Sequence, residues 1–97
     1  MSEDLHQHGN ALICTVYRCS REREMYVYVA RSEGLARLPA ELLEAAGTLS
    51  EVLTLRLSPE RKLARARAAD VLAAIAVQGY YLQLPPDKQL RHFTMGE

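Results

Sequence analysis

The chain has no surplus of charge of either sign: its 97 residues carry 12 Lys and Arg against 12 Asp and Glu. The molecule as a whole therefore exerts no long-range pull on nucleic acid or on an anionic membrane, and any such binding requires a local patch. A long apolar run is also missing. The longest apolar helical stretch, Ala68 to Val77, has 10 residues and is interrupted by Asp70, whereas a bilayer crossing needs roughly 20. The first residues include Ser2, Glu3, Asp4, His6 and His8, without the basic start and apolar stretch of a secretory signal. Cysteine is scarce, with only Cys14 and Cys19 present. Their odd spacing in strand-like sequence sends the two side chains to opposite faces, which argues against a local disulfide. Reduced thiols, no leader and no span together predict a cytoplasmic protein.

Recognisable catalytic signatures are absent too. There is no glycine-rich phosphate loop, no GxSxG and no HExxH, so the usual sequence signs of nucleotide, serine-hydrolase and zinc-protease chemistry are missing. The three histidines, His6, His8 and His92, lie outside the predicted core. A metal centre needs three or four ligands converging on a rigid scaffold, so neither metal nor cofactor is expected. Nucleophilic catalysis needs Ser or Cys beside a positioned base. Here the remaining bases are surface carboxylates such as Glu22 and Glu24, which alternate with Arg in a polar turn and read as solvated surface.

What is present is an ordinary globular composition, 48% hydrophobic and 25% charged, rather than that of a disordered chain. One domain is expected over residues 11–97, after a polar N-terminal tail at 1–10. Leu12 to Arg18 is rich in β-branched and aromatic residues and reads as a strand, as does Met25 to Ala30. The short polar link Ser20 to Glu24 makes the two a hairpin. Pro39 suits the first turn of a short helix running to Ala46, with Gly47 placed to end it in a left-handed conformation. Glu51 to Leu57 alternates as a third strand. Ala68, Val71, Leu72 and Ile75 follow helical spacing in a second helix over Arg65 to Gln78. Gly79 stops it, Tyr80 to Leu84 forms a fourth strand, and Asp87 to Phe93 suits a short terminal helix. The order is β-β-α-β-α-β plus that last helix, an α/β layer structure.

Several of these segments resemble the YcgL domain family, small bacterial proteins of uncharacterised function. The likeness rests on Cys14-Thr15-Val16-Tyr17-Arg18, Tyr26-Val27-Tyr28-Val29, Leu38-Pro39-Ala40-Glu41-Leu42, Gly47 and Arg61-Lys62-Leu63. It closes with Gln78-Gly79-Tyr80-Tyr81-Leu82-Gln83-Leu84-Pro85-Pro86, and runs from Cys14 to Pro86. The resemblance implies an α/β/α sandwich around a four-stranded, largely antiparallel sheet. It brings no catalytic residue and no cofactor. Departures from the family pattern include Cys19 where Ser is usual and Arg67 where an acid is common, which points to a more basic patch here.

Two features remain as candidate binding elements. The first is a basic cluster of Arg56, Arg61, Lys62, Arg65 and Arg67, opposed by Glu60 alone. It suits phosphate or an acidic protein surface, although a solvated loop has the same composition. The second is a sheet face. Alternation places Thr15, Tyr17, Tyr26, Tyr28, Thr54, Arg56, Tyr81 and Gln83 on comparable sets, opposite Cys14, Val16, Val27, Val29, Leu53, Leu55, Leu82 and Leu84. Left open, the tyrosines offer a stacking platform; covered, they form a second core, with Leu90 and Phe93 as lid. The leading expectation is a binding or adaptor domain that holds an acidic or phosphate-bearing protein or RNA. Its contacts would be Arg61, Lys62, Arg65 and Arg67, with Tyr26, Tyr28, Tyr81 and Gln83 as the adjoining face. The alternatives are a small hydrolase with an Arg, Tyr and carboxylate site, and a homodimer through the alanine-rich surface of the second helix.

Overall fold

Strand β1 (Leu12–Cys19) and strand β2 (Tyr26–Ala30) pair antiparallel and occupy the middle of the sheet. The computed structural model describes residues 11–63 and 66–85. Helix α1 (Ala40–Ala46) follows β2, and the chain then returns as β3 (Leu49–Leu57) along the free side of β1. Helix α2 (Ala68–Gln78) leads to β4 (Tyr80–Gln83) on the free side of β2. The strand order is β3-β1-β2-β4, and every neighbouring pair is antiparallel. The element order matches the one expected from sequence, in an α+β fold. The predicted tail at 1–10 and the predicted terminal helix at Asp87–Phe93 lie outside the described residues. Among the described residues no helix is long and apolar enough to cross a membrane.

Apolar side chains gather on both sides of the sheet. Cys14, Val16, Tyr28, Ala30 and Leu57 pack with Ala68, Val71 and Ile75 of α2. Val27, Val29, Cys19 and Met25 pack with Leu38 and with Ala46 of α1. Strand β2 is therefore buried from Val27 to Ala30 on both faces, which explains why its sequence is a near-continuous apolar run. Leu57, Val27, Val29 and Val71 are fully enclosed, each contributing on the order of 1.5–3 kcal/mol by leaving water. The cysteines fall into separate cores and both are free, as their odd spacing implied.

The face assignment needs correction. Paired residues in a ladder share a face, and the register sets Val16 against Tyr28 and Leu53, Tyr17 against Val27, and Tyr26 against Gln83. Tyr26, Tyr28, Tyr81 and Gln83 therefore lie with Cys14, Val16, Leu53 and Leu55. Thr15, Tyr17, Thr54 and Arg56 lie on the other face, with Val27, Val29 and Leu82. Alternation sorts side chains within one strand, whereas register decides how strands combine, and register depends on turns and bulges.

Helix ends hold the layers in place. Gly79 caps α2 in the left-handed region (φ 96, ψ −4) and its N–H bonds to the Ile75 carbonyl at 2.9 Å. Gly47 also has positive φ (77), but with ψ −136 it is extended rather than left-handed helical, and it turns the chain directly into β3. Beside it, Ser20 N–H donates to the Ala46 and Thr48 carbonyls, and Thr48 N–H donates to Ser20 Oγ at 2.8 Å. The hairpin turn is thus fastened to the end of α1. Helix α2 starts at Ala68 rather than at the expected Arg65, because Arg67 is extended (φ −96, ψ 130) and bridges to Lys62.

A Cβ at Gly79 would meet Arg37 Cβ at 2.6 Å, on a backbone conformation that L residues avoid. Gly79→Ala is expected to lower stability by about 2 kcal/mol, read from urea unfolding; an unchanged midpoint would refute this account of the cap. Burial raises the Cys14 thiol from 9.0 to about 11. The native state thus favours the protonated form, and the resulting stability is intact below pH 9 and is lost as pH rises through 11. The urea midpoint should fall across that window, and less steeply in Cys14→Ala.

Candidate functional site

Helix α2 covers one end of its sheet face, over Cys14, Ala30 and Leu57. Further along the same face lies a groove of about 440 Å³. Its floor is built by Val16, Tyr26, Tyr28 and Gln83, and one wall by Leu53 and Leu55 of β3 with Leu63 of the following loop. Arg18 and Arg61 are its charged members. A bulge shapes the wall. Val16 pairs with Leu53 but Tyr17 pairs with Glu51, so Val52 is an extra residue in β3. Such an insertion bends the strand and re-aims its side chains, and Val52 and Leu53 both line the groove. They are 44% and 50% exposed.

Polar groups in the groove are few and fixed. The Tyr28 hydroxyl donates to Gln83 Oε1 at 3.3 Å, in a buried bond. Tyr28 also meets Tyr81 edge to face, with centroids 5.9 Å apart and planes at 76°. The Tyr81 hydroxyl is held above its usual ionisation range by burial, with a further push from the charge of Asp70. Gln83 is only 6% exposed, and its Nε2 has no hydrogen-bond partner among the described residues. Because no fully enclosed side-chain nitrogen or oxygen is unsatisfied there, that amide reaches open space, which the groove supplies. Arg61 Nη1 donates to the Arg56 carbonyl at 3.1 Å, leaving its other donors free to turn outward.

The residues singled out from sequence divide into three groups. Arg61, Tyr26, Tyr28 and Gln83 converge on the groove. Tyr81 stands behind Tyr28, against the α2 core, and supports it. Lys62 and Arg67 line a neighbouring hollow of about 410 Å³ that Arg61 also borders. Arg65 lies outside the described residues, as do Leu90 and Phe93. Arg56, expected in the basic cluster, pairs with Ile13 on the opposite sheet face and so leaves it. Arg18 was missed as a site residue. Its position two residues after Val16 in one strand was the available signal.

Among the described residues no carboxylate lines the groove. Glu22 and Glu24 instead border a separate hollow at the hairpin turn with Arg18, Arg23 and Tyr26. Among the described residues no group of three or more His, Cys, Asp or Glu is placed to hold a metal ion. The alanine-rich surface of α2 is not flat either: Ala69, Ala73 and Ala76 border a cleft of about 570 Å³ with Glu33 and Arg37. Those last two form an exposed ion pair at 3.7 Å.

These features define a small α+β domain with a four-stranded antiparallel sheet and an open apolar groove edged by arginine. The chain belongs to the YcgL domain family, whose profile matches residues 14–86. It is 49% identical over 77 residues to a YcgL domain-containing protein of Chromohalobacter salexigens, covering 79% of this chain and 80% of that one. A YcgL domain-containing protein of Pseudomonas putida is 48% identical over 82 residues, 82% of this chain and 84% of its own. One from Azotobacter vinelandii is 47% identical over 77 residues, 79% of each. None of these descriptions names an activity or a partner.

The Tyr28–Gln83 bond carries its own test. Tyr28→Phe strands the buried Oε1 and is expected to cost about 1–2 kcal/mol. Tyr28→Phe combined with Gln83→Leu should recover part of that loss in urea unfolding, as removing both partners avoids an unpaired buried group. Strict additivity would show that the pair is not coupled.

Proposed function

We propose that this domain is a binding or adaptor module that acts in the cytoplasm and holds an anionic partner at the arginine-edged mouth of the groove. The observation that carries this reading is charge placement. Arg18, Arg61, Lys62 and Arg67 are exposed around two adjoining hollows, and none has an ion-pair partner among the described residues. In a chain with no net charge, a local group of unneutralised cations is where an acidic or phosphate-bearing surface gains most. The two cores on opposite sheet faces support the three-layer α/β/α frame that the family resemblance implies, which makes the groove a feature of a rigid scaffold. The free, buried cysteines support a reducing compartment.

A hydrolase is less well supported, because the described residues bring arginine and tyrosine to the groove and no carboxylate beside them. The test compares wild type with Arg61→Glu/Lys62→Glu/Arg67→Glu as baits in a bacterial lysate, identifying both nucleic acid and protein in the eluates. A species held by the wild type alone is the expected result, and its retention should weaken steeply with added salt. Identical eluates would reduce the cluster to solvated surface.

A further inference from the structure

We propose that the groove is a small-molecule site for a planar anion: an aromatic or heteroaromatic ring that bears a hydrogen-bond acceptor and a phosphate or carboxylate group. The inference rests on the binding-module reading and supplies its ligand. Three independent observations converge on it.

The first is Gln83. A glutamine 6% exposed, with its amide NH₂ unpartnered and its carbonyl oxygen held by the Tyr28 hydroxyl, is an unused donor in a fixed orientation. The side chain is enclosed while its NH₂ opens on the groove, so an acceptor atom on a ligand would meet a donor already held in place. Tyr28 sets which end of the amide is free, and Tyr81 braces Tyr28 from behind.

The second is the character of the walls. Val52, Leu53, Leu55 and Leu63 line the groove together with the half-buried Tyr26. Exposed aliphatic groups beside a tyrosine suit a ring, which is flat enough to lie between strand side chains and polarisable enough to stack. The volume, about 440 Å³, lies within the range of roughly 300–1,000 Å³ that small ligands occupy.

The third is charge. Arg18 comes from β1, on the sheet side, and Arg61 from the loop after β3, so two guanidinium groups line one groove with no acid among its described residues. Arg61 is held by the Arg56 carbonyl at 3.1 Å, which lowers the entropy lost when it engages a ligand. Planar guanidinium forks match phosphate and carboxylate oxygens. The ring would lie against Tyr26 with its acceptor toward Gln83, and its anionic group would point to the arginines.

The experiment is a titration of the full chain, followed by amide and side-chain NMR shifts and by calorimetry. The probes are adenosine monophosphate, indole-3-carboxylate, adenosine and inorganic phosphate. Saturable shifts at the Gln83 side-chain NH₂, Tyr26 and Arg61 with a ring-bearing anion are expected, with adenosine and phosphate each weaker. The stronger of the two ring anions identifies the phosphate or the carboxylate class. Gln83→Leu should weaken that ligand about tenfold, and Arg61→Gln, at an exposed position, should do so without disturbing the fold. Inorganic phosphate binding as tightly as the ring anions would overturn the proposal, as would shifts confined to Lys62 and Arg67. No shift at millimolar probe would overturn it as well. The lysate comparison separates the two readings: if partner capture survives while the groove stays empty, only the ligand assignment falls.

Discussion

A sheet whose central strand is apolar on both faces must be covered on both, and the rest of this structure follows from that requirement. Val27 and Val29 face one way, Tyr28 and Ala30 the other, and all four are buried. Neither set can be left to water, because burying each side chain contributes a sizeable fraction of the net stability of a small domain. Helix α2 meets one demand with Ala68, Val71 and Ile75. The shorter α1, with Leu38 before it, meets the other through Ala46 and the partly buried Leu42. The Ser20 bonds to Ala46 and Thr48 fix where that second cover sits.

The groove is a by-product of the same arrangement. Eleven residues of α2 span about 16 Å, whereas the eight residues of β1 span about 26 Å. The helix therefore covers only part of the face. The remainder is lined by side chains that the sheet holds rigidly, since every strand bordering it is paired to another. The bulge at Val52 widens this uncovered portion and turns apolar groups into it. A site made this way is preorganised, because the register that sets Tyr26 beside Gln83 is the register that holds the sheet together.

Much of the fold was legible because it rests on local rules. Gly47 and Gly79 marked both helix ends, Pro39 marked the start of α1, and apolar spacing marked α2. Boundaries failed where backbone pairing overrode the local pattern. Arg67 is drawn into an extended bridge with Lys62, which delays α2, and β3 begins at Leu49 because Cys19 pairs with it. The site was legible in part. Tyr26, Tyr28, Gln83 and Arg61 stood out by type and position, and they do meet. Arg56 misled because it lies only five residues before Arg61, whereas the strand register turns it to the other face. Arg18 carried only the weak signal of sharing a strand face with Val16, and Val52 and Leu53 carried none, since their role depends on which strand lies beside them.

The sequence by itself determined the elements, their order and the separation of the two cysteines, because these follow from residue type and spacing within a few positions. Only the tertiary structure decided which faces combine, where α2 stops covering the sheet, and that one unused amide and two arginines line the same groove. Those outcomes depend on inter-strand register and on a single bulge, and both are set by contacts between residues distant in the chain.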